Sequence, residues 1–203
     1  MMPISVVRAI RQTVTTLYNT GNWQAIINEF HDYPERNKVL WVFPSVENID
    51  FINKSLRELK CERILSVGCG SGLLEWIIMK ATDLSVSGTE IDGAWWHCKY
   101  APPHFIPLLI TNPILEQDDQ MLDILRNSQN TALLFCYFNN RQAFDDYLNV
   151  FSGNVLIIIG PGEGRGTHTD PKPFGDVSAE WNLCKWQEVR NSADFIAIYN
   201  KKL

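Results

Sequence analysis

The sequence has 203 residues, 45% of them apolar, 20% charged and 11% aromatic, with a formal net charge of -5. This is the composition of one globular domain able to bury its own core. The acidic balance, with no basic block denser than Lys201-Lys202, argues against nucleic acid gripped by its phosphates and toward a small-molecule or protein partner.

No run of about 18 apolar residues is present to cross a membrane. The start lacks the charged region, apolar run and cleavage site of a secretory signal. A cytoplasmic protein is expected, with a nuclear location also open. Five cysteines, Cys61, Cys69, Cys98, Cys136 and Cys184, form no CxxC pair and are odd in number, so neither a disulfide framework nor a zinc site is predicted. Apolar neighbours such as LLFCYF predict buried free thiols.

Residues 5–18 place Val6, Val7, Ile10, Val14, Leu17 and Tyr18 on one helical face, ended by Asn19 to Gly21. WQAIINEF reads as a second short helix, stopped before Pro34. Ser45 can cap a third helix, whose apolar stripe is Ile49, Ile52, Leu56 and Leu59. Its early Glu47 and late Lys54, Arg57 and Lys60 suit the helix dipole. Residues 1–60 are therefore predicted to form a helical extension.

From residue 61 the texture changes. RILSVG, LSVSGTEID, FIPLLI, TALLFCY and NVLIIIG read as strands, and SGLLEWIIMKA, AWWHCKYA, QDDQMLDILRN and RQAFDDYLNVF as the helices between them. The alternation implies βαβ units and a parallel sheet. The strands are apolar throughout, as in strands covered on both faces. Residues 160–180, rich in glycine and proline, form a long loop. WNLCKWQEV and ADFIAIYNK then follow at a spacing that predicts an antiparallel hairpin.

The sharpest local signal is Gly68-Cys69-Gly70-Ser71-Gly72, directly after the first strand and opening a helix. Glycines there make a tight turn and let the backbone approach a ligand. A dinucleotide fingerprint needs a sixth-position glycine, but that position is Leu73. Glu90 stands at the end of the second strand, about twenty residues on, where an acid can accept both hydroxyls of a ribose. Ile91 follows it, and Asp92 is the alternative acid.

ILSVGCGSGLLE followed by VSGTEID resembles the first two motifs of the class I, seven-stranded, S-adenosylmethionine-dependent methyltransferases, over roughly residues 61–200. The resemblance implies a three-layer αβα sandwich with a mostly parallel seven-stranded sheet and a C-terminal antiparallel hairpin. It implies S-adenosylmethionine as cofactor, with residues 61–203 as the cofactor-binding domain. Gly68, Cys69, Gly70 and Gly72 would border the methionine moiety, Glu90 and Ile91 the ribose, and Asn112 the adenine. Residues Tyr137 to Asn140 would face the methyl group. Two departures stand out. The family usually has an acidic residue two positions before the first glycine, and here it is Ser66. The prolines of nucleic-acid amino methylases are missing from Tyr137-Phe138-Asn139-Asn140.

Tyr137, Asn139 and Asn140 are the candidates for orienting a methyl acceptor, and Glu163 and His168 for removing its proton. The last two lie in the 160–180 loop, with Arg165 able to hold a carboxylate. Trp95 or Trp96 can stack on adenine or cap a sulfonium. His97 and His104 are further bases or surface histidines. Glu116, Asp118, Asp119 and Asp123 read as a solvated helix face rather than a metal site. The expected activity is methyl transfer to a small molecule or protein side chain. The alternative is a non-catalytic module that keeps the fold to bind a protein partner. A nicotinamide oxidoreductase is a third reading, opposed by Leu73 and the hairpin.

Overall fold

The largely apolar run Arg63–Val67 forms β1, an inner strand third from one edge of a seven-stranded sheet. A computed structural model describes residues 4–202. The other strands are β2 (Ser85–Glu90), β3 (Leu108–Ile110), β4 (Thr131–Cys136), β5 (Val155–Pro161), β6 (Trp181–Val189) and β7 (Asp194–Lys201). Their order is β3-β2-β1-β4-β5-β7-β6. The first five run parallel, and β7 inserts antiparallel between β5 and β6. The three-layer mixed sheet and the terminal hairpin agree with the sequence reading.

The helices are α1 (Ile4–Asn19), α2 (Trp23–Glu29), α3 (Val46–Glu58), α4 (Leu73–Ala81), α5 (Gly93–Trp96), α6 (Asp119–Arg126) and α7 (Arg141–Val150). Alternate residues of one strand serve opposite cores, because successive strand side chains point to opposite faces. Ile64, Leu134 and Ile157 join a core with α1 to α4, whereas Leu65, Leu133 and Ile158 join one with α6 and α7. This two-sided burial explains why the strands read as unbroken apolar runs. The core on the first face is continuous from Ile10 and Val14 of α1 to Ile198 of β7. The side chains of Val6 and Val7 lie outside the described residues. β6, at the sheet's edge, is different: most of its side chains are exposed or half-buried.

Polar bonds fasten the N-terminal helices to the last hairpin. Ser45 and Asn48 form a reciprocal capping box at the start of α3. The Asn48 amide also donates to Gln187 Oε1 at 2.8 Å and to Glu188 O at 2.9 Å. The Arg190 guanidinium, in the β6–β7 turn, donates to the carbonyls of Phe43, Ile27 and Pro44 at 3.0, 2.9 and 3.2 Å.

Two elements are shorter than their sequence patterns. β3 begins only at Leu108 because Pro107 has no N–H to give a sheet ladder. The preceding residues are used elsewhere: Phe105 N–H donates to Ser71 O at 2.9 Å, and Ile106 packs against Gly72. The AWWHCKYA segment yields a single turn, Gly93–Trp96, capped by Asp92.

Candidate functional site

β1 passes into α4 through Gly68-Cys69-Gly70-Ser71-Gly72. Gly68, Gly70 and Gly72 have left-handed φ of 68°, 62° and 75°, a region that costs a residue with a Cβ about 1–2 kcal/mol. A methyl added at Gly72 would come within 2.3 Å of Ile106, but one at Gly70 would meet no protein atom within 4 Å. The backbone at Gly70 therefore faces open space. Its N–H donates to Glu90 Oε1 at 2.6 Å. Gly68 and Cys69 N–H both donate to Thr89 O, at 3.0 and 3.2 Å. With β2 on one side of β1 and β4 on the other, the turn stands where strand order diverges, the place where open parallel sheets bind ligands.

Two cavities flank this turn. One of about 220 Å³ is lined by Gly68, Glu90, Ile91, Asn112, Phe138 and Asn139. The other, about 190 Å³, lies over Cys69, Gly70 and Ser71, beneath Arg11, Trp41 and Phe105. Wider depressions of about 810 and 680 Å³ open at the opposite ends of the strands, around Arg63 and Ser85.

Behind the turn, Ser66 Oγ donates to Glu75 Oε1 at 2.7 Å. Glu75 is 1% exposed, and its Oε2 has no hydrogen-bond partner among the described residues. Burial pushes its carboxyl up to about 7 against the opposing Ser66 hydrogen bond, with the Glu90 charge adding to the rise. The acid absent at position 66 is thus carried by α4 and laid against Ser66 from nine residues along the chain.

Beyond β4, Tyr137 has φ 51°, uncommon for a bulky residue. Its hydroxyl donates to Asp194 Oδ1 at 2.6 Å, and its ring stacks on Trp41 with centroids 5.4 Å apart. Asp194, 2% exposed at the start of β7, also pairs with Arg165 and accepts from Ser192 Oγ at 3.3 Å. Burial, then the hydrogen bond to Asp194, push the tyrosine pKa well up. Tyr137 keeps its proton and acts as a donor.

No family model matches the sequence, and no curated protein does. Solved structures resemble the fold. A point mutant of MtNAS matches at 10% identity with a TM-score of 0.56, over 97% of this chain and 76% of that one. The same mutant in complex with S-adenosylmethionine matches at 12% identity and 0.53, over 97% and 78%. A magnesium protoporphyrin IX methyltransferase from Synechocystis with bound S-adenosylmethionine matches at 10% identity and 0.48, over 95% and 97%. The fold is that of the class I methyltransferases.

In this fold, the structure brings Gly68, Glu90, Ile91 and Asn112 to one cavity, and Cys69 and Gly70 to the other. Asn139 is exposed at the rim, and its backbone bridges Asp170. The Asn140 side chain caps α7 by accepting from Ala143 N–H at 3.1 Å. Glu163 and His168 lie exposed on the loop after β5. Arg165 holds a carboxylate of the chain itself, that of Asp194. Trp96 lines the 190 Å³ cavity and meets His104 edge-on, whereas Trp95 is exposed. His97 Nδ1 lies 2.6 Å from Gly93 O.

Asp118 caps α6 and binds Asn112 N–H at 2.7 Å, and no metal-binding cluster occurs among the described residues. The cysteines are free, but of the five only Cys61 is buried; Cys69, Cys98 and Cys136 are half-buried, and Cys184 is exposed because it lies on the open edge strand β6. Burial pushes Cys61 up to about 11, and Cys69 and Cys136 well above the ordinary thiol value. No helix of the described residues is long and apolar enough to cross a membrane.

Three residues packed around the candidate site were not singled out in the sequence: Glu75, Asp194 and Trp41. A trace of the first was present, since an acid lies one helical turn inside the helix that follows an acid-free motif.

Proposed function

We propose that the chain binds S-adenosylmethionine across the glycine turn and transfers its methyl group to a small molecule or a protein side chain. The observation that carries this reading is the Gly70–Glu90 pair. The turn leaves an open backbone face at Gly70, and Glu90 gives only one oxygen to the Gly70 N–H, leaving the other for ribose hydroxyls. The cavity of about 220 Å³ suits the cofactor, with adenosine beside Glu90, Ile91 and Asn112 and the methionine moiety at Gly68, against the turn that Cys69, Gly70 and Gly72 continue.

When bound, the cofactor supplies a sulfonium methyl whose C–S electron pair stays on sulfur as an acceptor lone pair forms the new bond. The chain's own task is then mainly to position the acceptor in line. Tyr137, its one hydroxyl proton given to Asp194 and its ring held by Trp41, is proposed to orient it by accepting a hydrogen bond, with Asn139 and Asn140 beside it. Glu163 and His168 are the proposed bases for an acceptor that arrives protonated. Their loop is tied down at Arg165–Asp194, and by Asp170 N–H to Phe138 O at 3.0 Å.

Calorimetric titration with S-adenosylmethionine and S-adenosylhomocysteine tests the reading. Micromolar binding supports it. A folded protein that binds neither at millimolar concentration is instead a non-catalytic module, and the search turns to protein partners.

A further inference from the structure

The cavity over Cys69, Gly70 and Ser71 has a chemical bias that the proposed function does not use. Its walls are largely apolar, including Val39, Trp41, Trp96 and Phe105. The charged residues that line it are Arg11 and Lys38, both cationic, and no carboxylate lines it although the chain carries a net charge of -5. The two carboxylates at the turn are engaged elsewhere: Glu75 lies buried on Ser66, and Glu90 accepts from Gly70 N–H.

Arg11 Nε is buried and has no hydrogen-bond partner among the described residues. Nor does Arg11 enter any ion pair among them. That nitrogen is closed to a ligand, but the outer guanidinium nitrogens, which enter no ion pair among the described residues, are left to receive an acceptor that a ligand brings. A carboxylate suits a guanidinium best, because it accepts two parallel hydrogen bonds. The volume of about 190 Å³ holds one ring and a short acid arm, since about 150 Å³ suffices for benzene.

We propose that this cavity is the acceptor site and that it takes a compact apolar or aromatic carboxylate, with the acid received by Arg11. Lys38, exposed at the rim, adds long-range attraction for the anion. The proposal rests on the cofactor reading for the word acceptor, but the charge preference of the cavity stands apart from it. One rival source has the same chemistry: the carboxylate of the cofactor's own methionine moiety.

The test uses the full chain and three small probes of one shape: phenylacetate, phenylacetamide and phenethylamine. Binding is read by ligand-observed NMR, with and without S-adenosylhomocysteine. Phenylacetate is expected to bind at about millimolar strength, and about tenfold or more tighter than the amide or the amine. In Arg11→Met the preference for acid over amide falls to within about twofold, whereas Arg11→Lys keeps part of it. Equal binding of the three probes overturns the proposal, as does an Arg11→Met protein, of unchanged melting temperature, that keeps the acid preference.

If Arg11→Met instead loses S-adenosylhomocysteine but keeps 5′-methylthioadenosine, which has no carboxylate, Arg11 serves the cofactor and the acceptor assignment is overturned. Failure of the wild-type chain to bind S-adenosylhomocysteine refutes the cofactor reading alone. The probe preference measured without it then still decides the cavity's chemistry.

Discussion

Replacing Glu75 by glutamine should change how stability responds to pH. The carboxyl is 1% exposed and has one satisfied oxygen, and its pKa is pushed from 4.5 up to about 7, chiefly by burial. An acid whose pKa is raised on folding binds its proton more tightly in the native state. The native chain therefore holds more protons than the unfolded one between pH 4.5 and about 7, and stability falls as pH rises through that window. At about 1.4 kcal/mol per pKa unit, the whole effect is about 3 kcal/mol, of which most is lost between pH 5 and 8.

Glutamine keeps the acceptor for Ser66 and cannot ionise, so it mimics the protonated acid. Urea unfolding followed by tryptophan fluorescence, at pH 5, 6, 7 and 8, reads the difference. The stability of Glu75→Gln relative to wild type should climb by about 2–3 kcal/mol across that range. With a urea slope of about 2–3 kcal/mol per molar, that is a relative midpoint shift of roughly 1 M. Parallel pH profiles for the two proteins would mean that Glu75 is solvated or paired, and the reasoning about its orphaned oxygen would fall.

Glu90→Ala should weaken S-adenosylhomocysteine binding by about 1–3 kcal/mol, the usual loss for a charged hydrogen-bonding group. An unchanged calorimetric Kd would move the ribose contact to Asp92. Gly70→Ala should cost about 1–2 kcal/mol of stability for its left-handed φ and about tenfold or more in S-adenosylhomocysteine affinity, because the added methyl points into space the protein leaves open. Full affinity in a folded mutant would place the ligand elsewhere. Arg190→Ala removes donors to three carbonyls and should destabilise the protein by about 2–4 kcal/mol. It should also speed proteolysis between residues 30 and 44, and a proteolysis rate equal to wild type would show that packing alone holds that segment.

Features that depend on a few adjacent residues were legible in the sequence. The glycine turn announced itself because only glycine enters a left-handed backbone without penalty. Ser45 announced α3 through its cap, and the two-sided burial of β1, β4 and β5 was written as unbroken apolar runs. Features that join distant segments were not legible. Asp194 becomes a partner for Tyr137 only once β7 lies beside β5, and nothing in DFIAIYN marks it. Asn140 looked like a group free to orient a ligand, yet its carbonyl is spent on α7, a local bond that competes with any other role. Trp41 was one tryptophan among seven, and its place over Tyr137 follows from how the N-terminal helices dock. FIPLLI promised a six-residue strand, but Pro107 and the packing of Ile106 against Gly72 left three.

The Arg190 clamp also fixes the order in which the molecule can be completed. Its guanidinium reaches Ile27 across 163 residues of sequence, so the segment carrying Lys38 and Trp41 has no anchor of this kind until the β6–β7 turn has been made. The glycine turn and its strands can form early, from neighbours already made. The canopy above them is a late addition, and a nick in the β6–β7 turn would free the segment that carries Trp41 from its Arg190 donors. Cleavage at that turn should therefore be felt first as lost selectivity for whatever enters beneath Trp41.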